Sequence, residues 1–175
     1  MSDTMITIIA IFLAAVLMFV FPLMAMSDRT DDVSQLAVQT ATTEFVDNVR
    51  TTGVLSLAKY DNYVQQISAT GNTYDTELKI EVLDENPGKK STQTESTKIG
   101  ENVSYTLYNT QIMDALNDDA NGVYKLKEGD VFSASVKNTN TTISQQLKNA
   151  FYSVIGNDTY QIAAQHSGIV TVNGK

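Results

Sequence analysis

The side chains best spaced for chemistry lie between residues 117 and 128. Four oxygen ligands fall at positions one, three, five and twelve of this loop: Asn117, Asp119, Asn121 and Glu128. With Gly122 at position six, this is the spacing of an EF-hand calcium loop. Asn replaces the usual Asp at position one, however, and residues 123–127 have the pattern of a strand where a second helix is required. A polar turn is therefore the favoured interpretation, and calcium binding is the alternative.

Other chemistry finds little support in the sequence. The single histidine, His166, lies near Gly168 in a predicted loop, without a second histidine or a cysteine as partner. A solvated side chain is therefore its favoured interpretation. The chain contains no GxSxG, SxxK, GxxxxGK[ST] or GxGxxG motif, and its acidic residues form no convincing catalytic pair. We predict that the protein is not an enzyme and has no catalytic residue, cofactor or metal site.

Composition narrows the class of protein further. The formal net charge is −8, which disfavours nucleic acid as a partner because its phosphates require clustered basic residues. The absence of cysteine excludes disulfides and cysteine-based zinc sites. The 21 Thr and 13 Asn outnumber the 10 Lys, a balance that favours an extracellular surface. Asn-x-Ser/Thr triplets begin at Asn102, Asn140 and Asn157, and these matter only in a glycosylating host.

The remaining elements are organised around an uncharged apolar segment, residues 4–26. As a helix, this segment would be about 35 Å long, enough to cross a bilayer. Four interpretations are open: a signal peptide cleaved near Ala25, a buried core helix, a transmembrane anchor, or a membrane helix that later packs against copies of itself. Pro22 predicts a kink at residues 18–22.

The next segment continues this helical pattern. Residues 32–52 carry an apolar stripe formed by Val33, Ala37, Ala41, Phe45 and Val49 and widened by Leu36, Val38 and Val46. The sequence leaves open whether residues 4–52 form one bent helix or two, and Gly53 is predicted to end the helix. We predict three regions: a transmembrane or filament-core helix at 4–26, an amphipathic stalk helix at 27–55 and a globular head at 56–175.

The head has the pattern of an α+β domain, with an antiparallel sheet and short helices. Leu78, Ile80 and Phe132 belong to alternating patterns that place them on the buried side. The predicted elements are a helix at 57–70 capped by Ser56, a strand at 74–82, an exposed loop at 84–101, a strand at 103–107, a helix at 110–116, a hairpin of strands 123–127 and 131–137, a helix capped by Thr141 or Thr142 and ending at Gly156, and strands at 160–164 and 169–172.

The first 80 residues or so resemble type IV pilins and pilin-like proteins. The resemblance begins with the membrane helix, its late proline at Pro22 and the amphipathic helix that follows. The motifs that look like those of Tad-type pseudopilins are Phe45-Val46, Thr52-Gly53, Tyr60, Thr70-Gly71 and Tyr74. The glutamate usual near the start of the family's mature helix is not present, and Met5 stands close to its position.

The resemblance implies a structural subunit, major or minor, of an extracellular pilus-like filament. In such proteins the apolar helix anchors the subunit in the cytoplasmic membrane before assembly and then packs against other copies in the filament core. The implied partners are copies of the chain itself, the pilus assembly machinery and the membrane. The alternative is a single-span, membrane-anchored extracellular binding domain, with calcium as one candidate ligand, that does not polymerise.

Overall fold

One helix, α1 (Ser2–Thr52), joins the apolar segment to the head in the computed structural model, which describes residues 2–83, 104–143, 145–146 and 161–175. The sequence did not decide whether residues 4–52 form one helix or two, and the structure shows one. Pro22 lies inside α1 without ending it. The helix ends where Gly53 takes a positive φ of 65° and donates its N–H to the Val49 carbonyl at 2.8 Å. Gly53 is therefore the terminating residue that the sequence predicted.

The second half of α1 forms part of the core of the head. Its fully or nearly fully buried apolar residues are Val38, Ala41, Phe45, Val46 and Val49. The predicted apolar stripe is buried only in part, because Val33 and Leu36 are 62% and 65% exposed and Ala37 is also exposed. The head covers the apolar side of α1 only from Val38 onward.

The head confirms the α+β class. After α1 the elements are β1 (Val54–Ser56), α2 (Leu57–Ser68), β2 (Tyr74–Leu83), β3 (Ser104–Tyr108), α3 (Asn109–Asp118), β4 (Val123–Lys125), β5 (Val131–Asn138) and β6 (Ala163–Ile169). Within the described residues, β3, β2, β5 and β6 form an antiparallel four-stranded sheet in that order, and β1 pairs with β4. Ser56 caps α2 as predicted, accepting the Lys59 N–H at 3.3 Å.

The sheet packs one face against α1. Its buried side chains are Leu78, Ile80 and Val82 of β2 with Phe132, Ala134 and Val136 of β5, as the alternating pattern predicted. Phe45 of α1 lies between the two layers, because its ring stacks on Tyr63 at 4.5 Å and meets Phe132 edge-on at 5.6 Å. The core of the head therefore requires α1, α2 and the sheet together.

Two predictions about the strands were wrong. Residues 123–127 and 131–137 do not form a hairpin, because β4 pairs with β1 while β5 pairs with β2 and β6. The two strands predicted at 160–164 and 169–172 are replaced by the single strand β6, which includes His166. Pairing with β5 imposes the extended conformation on a segment whose own residues alternate poorly. The loop predicted at 84–101 lies outside the described residues.

The helix predicted at 142–156 is described only at its beginning. Thr142 Oγ1 accepts the Gln145 N–H at 3.2 Å, and Gln145 Oε1 accepts the Thr142 N–H at 3.1 Å. This reciprocal pair is a capping box, so Thr142 is the capping residue.

A buried tyrosine gives the head a specific pH dependence. The Thr42 hydroxyl donates to the Val38 carbonyl at 2.7 Å, which leaves Tyr63 as the donor in its 3.0 Å contact with Thr42. Burial raises the pKa of Tyr63 above the ordinary phenol value of 10.0. The folded state thus resists ionisation of Tyr63. The contribution of the neutral Tyr63 side chain to stability is therefore complete below pH 10 and is lost as the pH rises above it.

We expect Tyr63→Phe to lower the free energy of unfolding by about 1 kcal/mol at neutral pH, through loss of one hydrogen bond. The difference from the parent should shrink from about pH 10 upward, where ionisation of the tyrosine destabilises only the parent. Urea denaturation at about pH 8 and about pH 11, followed by circular dichroism, measures both effects. Equal losses of stability with pH in the two proteins would contradict the assignment.

Candidate functional site

The candidate functional site is the apolar segment of α1. It belongs to the only helix, within the described ranges, that is long and apolar enough to cross a membrane, and no residue of its most apolar window is buried. Its exposed large side chains range from 39% exposure at Val16 to 76% at Met18. An all-round apolar helix is stable only when lipid or protein covers it. The segment therefore requires a covering that the described part of the chain does not provide.

Side-chain hydrogen bonds join α1 to the head just beyond this segment. Asp31, only 4% exposed, accepts the Thr142 hydroxyl at 2.8 Å. One helical turn later, the Gln35 side chain donates to the Ala163 carbonyl at 2.6 Å and accepts the Ala163 N–H at 3.0 Å. The Gln35 amide thus pairs with the first residue of β6 as a neighbouring strand would. These contacts join α1 to parts of the chain more than 100 residues away.

The prediction that His166 lies in a solvated loop was wrong. His166 lies in β6 opposite Ala134, with its Nε2 3.7 Å from the Asp47 carboxylate. Arg50 Nε donates to the same carboxylate oxygen at 2.6 Å, and this bond is the main reason that the pKa of Asp47 is lowered. Ser167 alternates to the other face of the strand, so its hydroxyl does not lie beside the imidazole. The three charged or titratable side chains connect α1 to β6 at the surface.

The 117–128 loop has the geometry of a turn. Asp119 Oδ2 accepts the backbone N–H groups of Asn121 and Val123, both at 3.0 Å. Gly122 takes a positive φ of 63°, and Val123 then begins β4 where an EF-hand has its second helix. Over the ranges that the structure describes, no three acidic or histidine side chains come together as a metal site would require.

The glycosylation triplets are described at one position only. Asn140 Oδ1 accepts the Thr73 N–H at 2.8 Å, and Asn140 Nδ2 donates to Asn72 Oδ1 at 3.0 Å. The amide nitrogen that a glycan would modify is therefore engaged in the turn before β2. Asn102 and Asn157 lie outside the described residues.

Sequence reasoning missed the buried polar residues. Asp130, 2% exposed, accepts the Leu83 N–H at 2.9 Å and the Lys127 N–H at 2.8 Å. Asn138, 3% exposed, accepts the Ile162 N–H at 3.1 Å. Both are polar residues beside or within apolar strands, and a sequence gives no signal that separates such a residue from a solvated one.

A groove runs along the stalk where α1 meets the end of α2. We call it the α1–α2 groove; its volume is about 710 Å³ and its lining is Met26, Arg29, Thr30, Val33, Ser34, Ala37, Gln66, Ala69 and Thr70. The exposed apolar residues at the start of the stripe lie in or beside it. The groove directly follows the apolar segment along α1, so the two form one continuous surface.

The chain matches no protein-family model, no curated protein and no solved structure.

Proposed function

We propose that the protein is a structural subunit, major or minor, of a pilus-like filament on the cell surface. The observation that carries this proposal is the exposed apolar segment of α1, which continues without a break into the core of the head. Membrane lipid covers the segment before assembly, and the helices of neighbouring copies cover it in the filament. The assembly machinery and the membrane are its other partners, and nucleic acid is not.

The composition of the segment is compatible with close helix packing. Small side chains at Ala10, Ala14, Ala15 and Ala25 allow neighbouring backbones to approach. The continuity of α1 supports the proposal independently, because helices that pack side by side must carry their heads in a fixed relation. The bonds from Asp31 and Gln35 to the rest of the head provide this fixed relation.

Shearing of the native cell surface followed by immunogold negative-stain microscopy tests the proposal. We expect an antibody against the head to label the released filaments along their length if the protein is a major subunit, and at their tips if it is a minor one. Cells that lack the protein provide the antibody control. If the protein stays with the membrane fraction and no filament is labelled, the proposal is wrong.

The second candidate is a single-span anchored extracellular domain that binds a partner without polymerising. A hollow of about 570 Å³ on the outer face of the sheet favours it, lined in part by Asp75, Glu77, Lys79, Tyr108 and Ser135. This candidate predicts a protein that remains monomeric in native membranes. A calcium-dependent rise in melting temperature would favour its calcium-binding form.

A further inference from the structure

Charge is very sparse on the first half of α1. Asp3 is the only charged residue before Asp28, and Arg29 is the only basic residue before Arg50. Arg29 is exposed and takes part in no ion pair within the described part of the chain. One exposed acid thus lies at the start of this uncharged surface. One exposed base lies at its other end, beside the half-buried Asp28, the buried Asp31 and the exposed Asp32.

The two charges cannot meet within one molecule. They are 26 positions apart on a continuous helix, which corresponds to about 39 Å. In a filament core, Asp3 would lie among apolar helices, where an unpaired carboxylate is costly. A basic group of a second copy is the partner that removes this cost, and along the stalk that group is Arg29.

We propose that the α1–α2 groove receives the beginning of α1 from a second copy of the chain, with Asp3 of that copy paired to Arg29. The inference rests on the proposed function and specifies its subunit contact. The occupant is an apolar helix segment with one acid, and the groove is lined by apolar and uncharged polar side chains with one base, Arg29. Complementary charge therefore fixes both the occupant and its position along the stalk.

The offset of 26 residues between Asp3 and Arg29 also places small side chains of one helix at the height of large side chains of the other. A parallel copy displaced by 26 residues has Ala10 at the level of Leu36, which is 65% exposed, and Ile11 at the level of Ala37. A small residue and a large one thus lie at the same height in both cases. Beyond Thr40 the exposed face of α1 becomes polar, with Glu44 and Asn48, so the contact covers about three turns.

Cysteine cross-linking of the full chain in its native host tests the contact, because the natural chain contains no cysteine. The test variant carries Asp3→Cys and Arg29→Cys. Any disulfide between these positions joins two molecules, since the helix keeps them far apart in one. We expect mild oxidation to give a ladder of covalent oligomers in sheared filaments. The matched control, Asp3→Cys with Asn48→Cys, should give at least tenfold less, because Asn48 lies 19 residues, about 28 Å, further along the helix.

The outcomes separate this inference from the proposed function. Filaments without a ladder from the test variant, or with equal ladders from both variants, would overturn the inference and leave the filament function intact. A protein that stays monomeric in the membrane would overturn both. A selective ladder in membranes, with no filaments, would support the contact between copies and overturn the filament function.

Charge exchange provides a second readout that does not depend on cysteine chemistry. Asp3→Arg or Arg29→Asp alone places like charges in contact, and we expect each to reduce filament yield about tenfold, equivalent to 1.4 kcal/mol. The double variant restores the opposite charges and should restore most of the yield. If Arg29 instead contacted a lipid headgroup, the second substitution would rescue nothing, and the inference would be wrong.

Discussion

Replacement of Gly53 by alanine is expected to destabilise the head by about 3 kcal/mol or more, a large part of the stability of an ordinary domain. Gly53 has a φ of 65°, which costs an L-residue about 1 kcal/mol. A Cβ there would also lie 2.2 Å from the Val172 carbonyl oxygen and 2.6 Å from the Gly174 nitrogen. Both are backbone atoms, so relief requires that residues 170–174 move.

That movement would break several bonds at once. Leu126 donates its N–H to the Gly53 carbonyl at 2.8 Å, and Gly174 donates to the Leu126 carbonyl at 2.9 Å. Thr171 donates to the Arg50 carbonyl at 3.0 Å, within the last turn of α1. The C-terminal segment is therefore bonded to the last turn of α1 through Thr171 and to Leu126, just after β4, through Gly174, and displacing the segment breaks both bonds.

Gly71→Ala is the matched control for this experiment. Gly71 has a similar φ of 82°, but a Cβ there would meet nothing within 4 Å. We expect a loss of only about 1 kcal/mol, from backbone strain alone. Urea denaturation of the full chain in detergent, followed by the near-ultraviolet circular dichroism of its tyrosines, gives both values. Equal losses would show that residues 170–174 yield without cost.

Asp130→Ala is expected to lower the free energy of unfolding by about 3 kcal/mol, because two partly buried backbone N–H groups lose the buried carboxylate that accepts them. These N–H groups belong to Leu83, at the end of β2, and to Lys127, in the turn before β5. The Asp130 backbone also binds β6, since its carbonyl accepts the Val170 N–H at 2.7 Å. The carboxylate therefore sits at the point where three segments of the sheet converge.

Asp119→Ala provides the control for burial, because its carboxylate also accepts two backbone N–H groups. Asp119 is exposed, so water replaces the lost acceptor and the expected cost is about 0.5–1 kcal/mol. The same denaturation measurement compares the two variants. If Asp130→Ala and Asp119→Ala cost the same, burial does not determine the contribution of Asp130.

The sequence predicted what depends on local pattern. The Ser56 cap, the Gly53 terminus and the buried faces of β2 and β5 follow from neighbouring residues along the chain. The choice of strand partners does not, because alternation indicates which side of a strand is buried but not which strand lies beside it. For this reason β4 was assigned to β5 instead of β1, and the segment around His166 was not recognised as a strand.

In the candidate site, too, some features could be predicted from local sequence and others depend on tertiary packing. The apolar segment was predicted from composition alone, because its defining property is the absence of charge over many consecutive residues. The α1–α2 groove could not be predicted, since it exists only where the end of α2 packs beside α1. The burial of Asp31 and Asp130 was also beyond reach, because each depends on a partner distant in the sequence or on a turn formed by tertiary packing.

The bonds between α1 and the last segments of the head have a consequence for biosynthesis. Gln35 binds Ala163, 128 residues later, and Arg50 binds Thr171, 121 residues later. A head whose first and last parts share one core completes folding only after its last strand has been synthesised and has reached α1. During that interval the apolar face of α1 from Val38 to Val49 lacks its sheet. Under the proposed filament function, a subunit would therefore reach its assembly-competent shape only once the whole head is present, and unfinished chains would be kept out of a growing filament.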